Sequence, residues 1–101
     1  MVQLVPDIIA RVTLYPSDRG GRKGPILPGR FGCPFVFQGE AFDCRLLLEQ
    51  TNTTLHPGAT EVVQIKFLCP DFVKPRLTCG ATFMLWSAGN FADGEVLSIV
   101  N

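Results

Sequence analysis

The stretch Ile8-Ile9-Ala10-Arg11-Val12-Thr13-Leu14-Tyr15 decides the fold class. In an extended chain Ile8, Ala10, Val12 and Leu14 share one face, and Ile9, Arg11, Thr13 and Tyr15 share the other. A period of two marks a strand with one face buried. A helix needs apolar residues three and four apart, and no segment of this chain sustains that pattern.

The same alternation recurs along the chain. Pro34 to Phe37 is short and aromatic. In Ala41 to Leu48, Phe42, Cys44, Leu46 and Leu48 oppose Asp43 and Arg45. In Glu61 to Leu68, Val63, Ile65 and Phe67 oppose Gln64 and Lys66. In Ala81 to Trp86, Ala81, Phe83 and Leu85 oppose Thr82, Met84 and Trp86. Glu95 to Val100 is the sixth segment. Turn formers separate them: a glycine- and proline-rich stretch from Gly20 to Pro34, then Gln38-Gly39-Glu40, His56-Pro57-Gly58 and Ala88-Gly89-Asn90. Cys69-Pro70 and Lys74-Pro75 stop pairing, because proline cannot donate to a ladder. Six short strands with such turns predict an all-β domain, a small six-stranded antiparallel closed barrel filled by its own side chains. Closure also removes exposed edges, which otherwise invite aggregation.

The chain has 101 residues, 47% hydrophobic and 18% charged, which fits one globular domain and excludes disorder. We expect a single β-barrel domain over 1–101, with the barrel core at about 8–100. Net charge is zero, unlike a dedicated nucleic-acid binder, which is basic overall. The charge is unevenly spread. Arg19, Arg22, Lys23 and Arg30 against Asp18 give one stretch +3, and the remainder carries −3.

No basic n-region leads into an apolar run at the start, and Asp7 interrupts the first apolar stretch, which argues against a secretory signal. The uncharged run from Leu77 to Ala92 is broken by Gly80 and Gly89 and is too short for a bilayer. A soluble, cytoplasmic protein with no membrane partner is expected. Cys33, Cys44, Cys69 and Cys79 show no C-x-x-C spacing, and His56 is the one histidine. Reduced, mostly buried thiols follow from that compartment, and no metal site is expected.

No phosphate-binding loop, dinucleotide fingerprint or nucleophile elbow occurs, so neither nucleotide nor cofactor is implied. His56 sits in a polar turn, and Asp43 and Glu49 read as solvated strand residues. The chain is expected not to be an enzyme. Two surfaces remain as candidates. One is the basic loop, where Arg19, Arg22, Lys23 and Arg30 would meet the phosphates of RNA or another anion and glycines allow close approach. The other is an outward apolar set, Tyr15, Met84, Trp86 and Phe91, suited to a protein partner or self-association.

Several motifs together resemble the C-terminal barrel, the third domain, of the elongation factor Tu family of translational GTPases. They are Ala10 to Tyr15, then Gly20-Gly21-Arg22-Lys23-Gly24-Pro25, then Phe35-Val36-Phe37. Leu55-His56-Pro57-Gly58 is similar to the family's Met-Pro-Gly-Asp turn. Val62 to Pro70 is similar to its next strand, and Thr82 to Leu85 followed by Gly89, Gly94 and Val96-Leu97 to its ending. The resemblance spans residues 8 to 100 and implies a six-stranded antiparallel barrel. It implies a stand-alone, non-catalytic, translation-related module that binds protein or tRNA, without the GTPase domain and so without GTP. Some family features change. The Arg-His after the paired glycines is Arg22-Lys23 here. The tRNA-contacting glutamine of the following strand falls on Cys33 or Pro34. Both arginines of the closing Arg-Glu-Gly-Gly-Arg are lost in Trp86-Ser87-Ala88-Gly89-Asn90.

Overall fold

A computed structural model describes residues 4–16, 24–87 and 89–100. Among the described residues six strands form in chain order: β1 (Ile8–Leu14), β2 (Arg30–Phe37), β3 (Glu40–Leu47), β4 (Thr60–Phe67), β5 (Thr82–Trp86) and β6 (Asn90–Ile99). They close into an antiparallel barrel in the circular order β1-β4-β3-β2-β5-β6. The expected all-β closed barrel of six strands is therefore present.

The inward face of β1 is the one its alternation marks: Ile8, Ala10, Val12 and Leu14 are fully buried. Val63, Ile65 and Phe67 from β4 and Phe83 and Leu85 from β5 meet them in one core. Phe35 sits at its centre, stacked on Phe83 with centroids 4.2 Å apart and edge-on to Phe67 at 4.9 Å. Offset and T-shaped pairs of this kind add about 0.5–1.5 kcal/mol each beyond area burial.

Two strands start earlier than the sequence predicts. β2 begins at Arg30, not Pro34. Its pairing with β5 involves only Phe35 and Val36, so on that side Pro34 has no ladder bond to supply. β6 begins at Asn90, not Glu95. Gly94 precedes the expected segment, yet it lies within the strand, and the Phe83 ring occupies the space its missing side chain leaves.

The connection from β4 to β5 also differs from the expectation of no helix. Pro70–Val73 form one helical turn, α1, followed by a 3₁₀ turn at Lys74–Arg76. Pro70 stands at the first helical position, where its absent N–H costs nothing. Val73 is fully buried and anchors this turn to the core. The β2–β3 hairpin turns through Gln38 and Gly39, both at positive φ (50° and 79°), the pattern of a primed two-residue turn.

Two further segments seal the barrel. Ile26 exchanges backbone hydrogen bonds with Leu55, and Gly29 O accepts from Leu48 N and Glu49 N. Near the start of the chain, Gln50 clasps Leu4: its Oε1 accepts from Leu4 N, and its Nε2 donates to Leu4 O and to Gln64 Oε1. Residues 4–6 are thus strapped to the barrel.

Cysteine placement corrects part of the sequence reading. Cys33 and Cys44 are buried, but Cys69 and Cys79 are exposed, because both lie in the β4–β5 connection rather than on an inward strand face. All four are free thiols.

Candidate protein-interaction surface

β5 places Thr82, Met84 and Trp86 on the outside of the barrel, opposite Phe83 and Leu85. Met84 is 41% and Trp86 46% exposed, unusual for side chains of this size. Met84 pairs with Val36 of β2 on one side and Asp93 of β6 on the other. Asp93 in turn pairs with Thr13 of β1. A row of outward residues thus crosses β2, β5, β6 and β1.

Tyr15 stands just beyond the end of β1, its N–H donating to Phe91 O at 2.9 Å. Partial burial raises the Tyr15 hydroxyl pKa, and the nearby Asp93 carboxylate raises it further. Tyr15, Pro16 and Asp93 line a cleft of about 480 Å³ with Thr13, Leu14 and Gly58. Thr13 and Thr60 hydroxyls bond at 2.7 Å along its wall. The cleft and the β5 row share Asp93, so Tyr15, Met84 and Trp86 belong to one continuous side of the barrel. Its chemistry is an apolar and aromatic surface beside the Asp93 carboxylate.

Phe91 does not belong to this surface, contrary to the sequence reading. It is 2% exposed, with its ring edge-on to Phe31 at 5.9 Å. The physical reason is a register shift at Leu85/Trp86, where β5 meets β6. The shift breaks the simple alternation, and Phe91 and Ala92 both turn inward.

Of the basic candidates, Arg19, Arg22 and Lys23 lie outside the described residues. Arg30 is exposed at the start of β2, and its Nε donates to Glu49 Oε1 at 2.5 Å. His56 is exposed in its turn, and among the described residues no three His, Cys, Asp or Glu side chains converge as a metal site. No helix among the described residues is long and apolar enough to cross a membrane.

Leu68 and Phe72, at 68% and 71% exposure, project from the β4–β5 connection. Sequence reasoning missed them as surface residues. Leu68 ends the alternating segment Glu61 to Leu68, and Phe72 belongs to no alternating run. Parity with Gln64 and Lys66 was a signal for Leu68, and the prolines Pro70 and Pro75, which remove the stretch from any ladder, were one for Phe72.

Cys33 and Cys44 face each other directly across β2 and β3, with sulfurs 3.9 Å apart. The hydrogen bond to Cys33 and burial push the Cys44 thiol pKa well above its usual value, so it remains a thiol. No protein-family model matches the sequence, and no curated protein matches it.

Proposed function

We propose that this chain is a non-catalytic barrel of the elongation factor Tu third-domain kind, working in the cytoplasm as a protein-interaction module. One observation carries the reading: Trp86 and Met84 stand side by side on the outer face of β5, next to the cleft of Tyr15 and Asp93. Tryptophan, tyrosine and methionine are the side chains enriched where proteins bind one another. The closed barrel holds Trp86 and Met84 on a strand rather than a loop, so little conformational entropy is lost when a partner docks. The family resemblance points the same way, since the third domain of those GTPases serves by contact and not by catalysis.

Trp86→Ala tests the reading. If Trp86 is a central anchor, its truncation costs on the order of 2 kcal/mol or more, about a thirtyfold loss of affinity. Chemical cross-linking in source cells would then recover a partner with the native chain and not with the variant. If the partner is a second copy, light scattering would show the native oligomer dissociating. Equal cross-linked products together with an unchanged mass would refute the proposal.

RNA binding through Arg19, Arg22, Lys23 and Arg30 is the second reading. Of these, Arg30 alone lies among the described residues, and Glu49 holds it. The exposed Trp86 and Met84 on β5 are what favour protein contact as the first reading.

A further inference from the structure

On the other side of the barrel from Trp86, three cations gather on the outer faces of β2, β3 and β4. Arg45 of β3 and Lys66 of β4 are direct register partners. Like charges placed opposite one another across a ladder destabilise the pair. Arg45 is also the register partner of Gly32 in β2. Its guanidinium lies over that glycine, so closely that a Cβ there would sit 2.7 Å from Nη1. The absent side chain at position 32 lets the guanidinium rest against the barrel wall. Arg30 lies two residues earlier on the same face of β2.

The surrounding carboxylates leave this group under-compensated. Glu49 pairs with Arg30. Asp7 is shared between Lys66 at 4.0 Å and Lys74 at 3.6 Å, and it also accepts from Phe67 N. Asp43 shares the outer face of β3 but makes no ion pair with Arg45. Arg45 itself forms no ion pair among the described residues. Two neighbouring cations are thus fixed in place by their partners, and the third presents its charge unopposed.

The site has walls as well as charge. Leu4 of the strap and the exposed Leu68 line the same cleft as the three cations. Together with Phe67 they enclose a cleft of about 230 Å³. Gln50 fixes the strap by bonding both backbone atoms of Leu4. A small cleft lined by both basic and apolar side chains suits one phosphate group and a compact substituent. Guanidinium groups match such oxyanions in geometry as well as charge.

We propose that the cleft between the residue 4–6 strap and the outer faces of β2–β4 binds the phosphate group of a small phosphorylated ligand. Arg45 is its main contact, with Lys66 and Arg30 beside it. This site is independent of the protein-contact surface on β5.

The test is a titration of the full chain with inorganic phosphate, and separately with a nucleoside monophosphate, followed by amide NMR shifts. Sodium chloride at equal ionic strength serves as the control. Saturable shifts at Gly32, Arg45 and Lys66 with phosphate, absent with chloride, are expected. Tighter binding of the nucleoside monophosphate would identify an organic phosphate as the ligand, and equal binding would identify free phosphate. Arg45→Gln should weaken binding about tenfold or more, since a charge-assisted bond is lost. Gly32→Ala keeps every charge but displaces the guanidinium, and it should also weaken binding. Both substitutions lie on the outer face, and an unchanged melting temperature verifies the fold. Shifts that phosphate and chloride produce equally, or an unaltered affinity in Arg45→Gln, would overturn the proposal.

Discussion

Gly94→Ala should destabilise the barrel, although alanine normally suits a strand better than glycine. An added Cβ at position 94 would lie 2.4 Å from Phe83 Cζ, 2.8 Å from its Cε1 and 2.9 Å from Arg11 O. The ring has little room to retreat, because it is stacked on Phe35, which is itself edge-on to Phe67. The carbonyl belongs to β1 beside its partner strand β6. Overpacking of this type costs about 1–3 kcal/mol. Reduced freedom of the unfolded chain returns about 0.5–1 kcal/mol. A net loss of up to about 2.5 kcal/mol remains, centred near 1 kcal/mol, and at about 4–8 °C per kcal/mol for a chain of this size the melting temperature falls by roughly 4–8 °C at that centre. Thermal unfolding followed by circular dichroism measures this directly. Phe83→Leu shortens the side chain facing position 94, so Gly94→Ala should cost less in that background. The two positions would then be coupled by about 0.5 kcal/mol or more. A melting temperature equal to or above the native value, or strictly additive costs, would refute the packing argument.

Three more outcomes follow from buried groups. Asp7 is the one buried charged residue among those described, and its carboxylate accepts from Phe67 N at 2.8 Å. Asp7→Ala leaves that N–H without its acceptor and should cost about 1–3 kcal/mol in urea unfolding, with Asp7→Asn costing less because an oxygen remains; equal losses would contradict this. In thiol labelling of the native chain, Cys69 and Cys79 should react first and Cys33 and Cys44 only on unfolding, so four equally fast thiols would show that the barrel interior is open. The raised Cys44 pKa means that the fold favours the neutral thiol. Its contribution to stability is present below the ordinary thiol pKa of 9.0 and is lost as pH rises through the folded value, so a Cys44→Ala variant should lose less stability than the native chain between neutral and strongly alkaline pH.

Much of the fold was legible along the chain, and the exceptions have specific causes. Alternation located β1, β3, β4 and β5 to within one residue at each end, because each has one face in the core and one in solvent. It shortened β2, which it began at Pro34, and β6, which it began at Glu95. A proline is tolerated where one neighbouring ladder is not formed, and a glycine where an aromatic ring from the next strand fills the gap. Neither condition is visible without the neighbour. Trp86 and Met84 could be placed on an outward face by parity alone. Phe91 could not, because parity fails at a register shift.

The sequence by itself determined the fold class and which face of each regular strand is buried, since side-chain direction in a strand is a local property with a period of two. Tertiary structure alone decided which residues from different strands become neighbours. Arg45 and Lys66 each read as an ordinary outward charge, and Gly32 as a loop glycine. Only the pairing register sets the two cations opposite one another, with the arginine lying over the glycine. Register depends on closure of the whole barrel, a balance among all six strands that no single stretch of sequence contains.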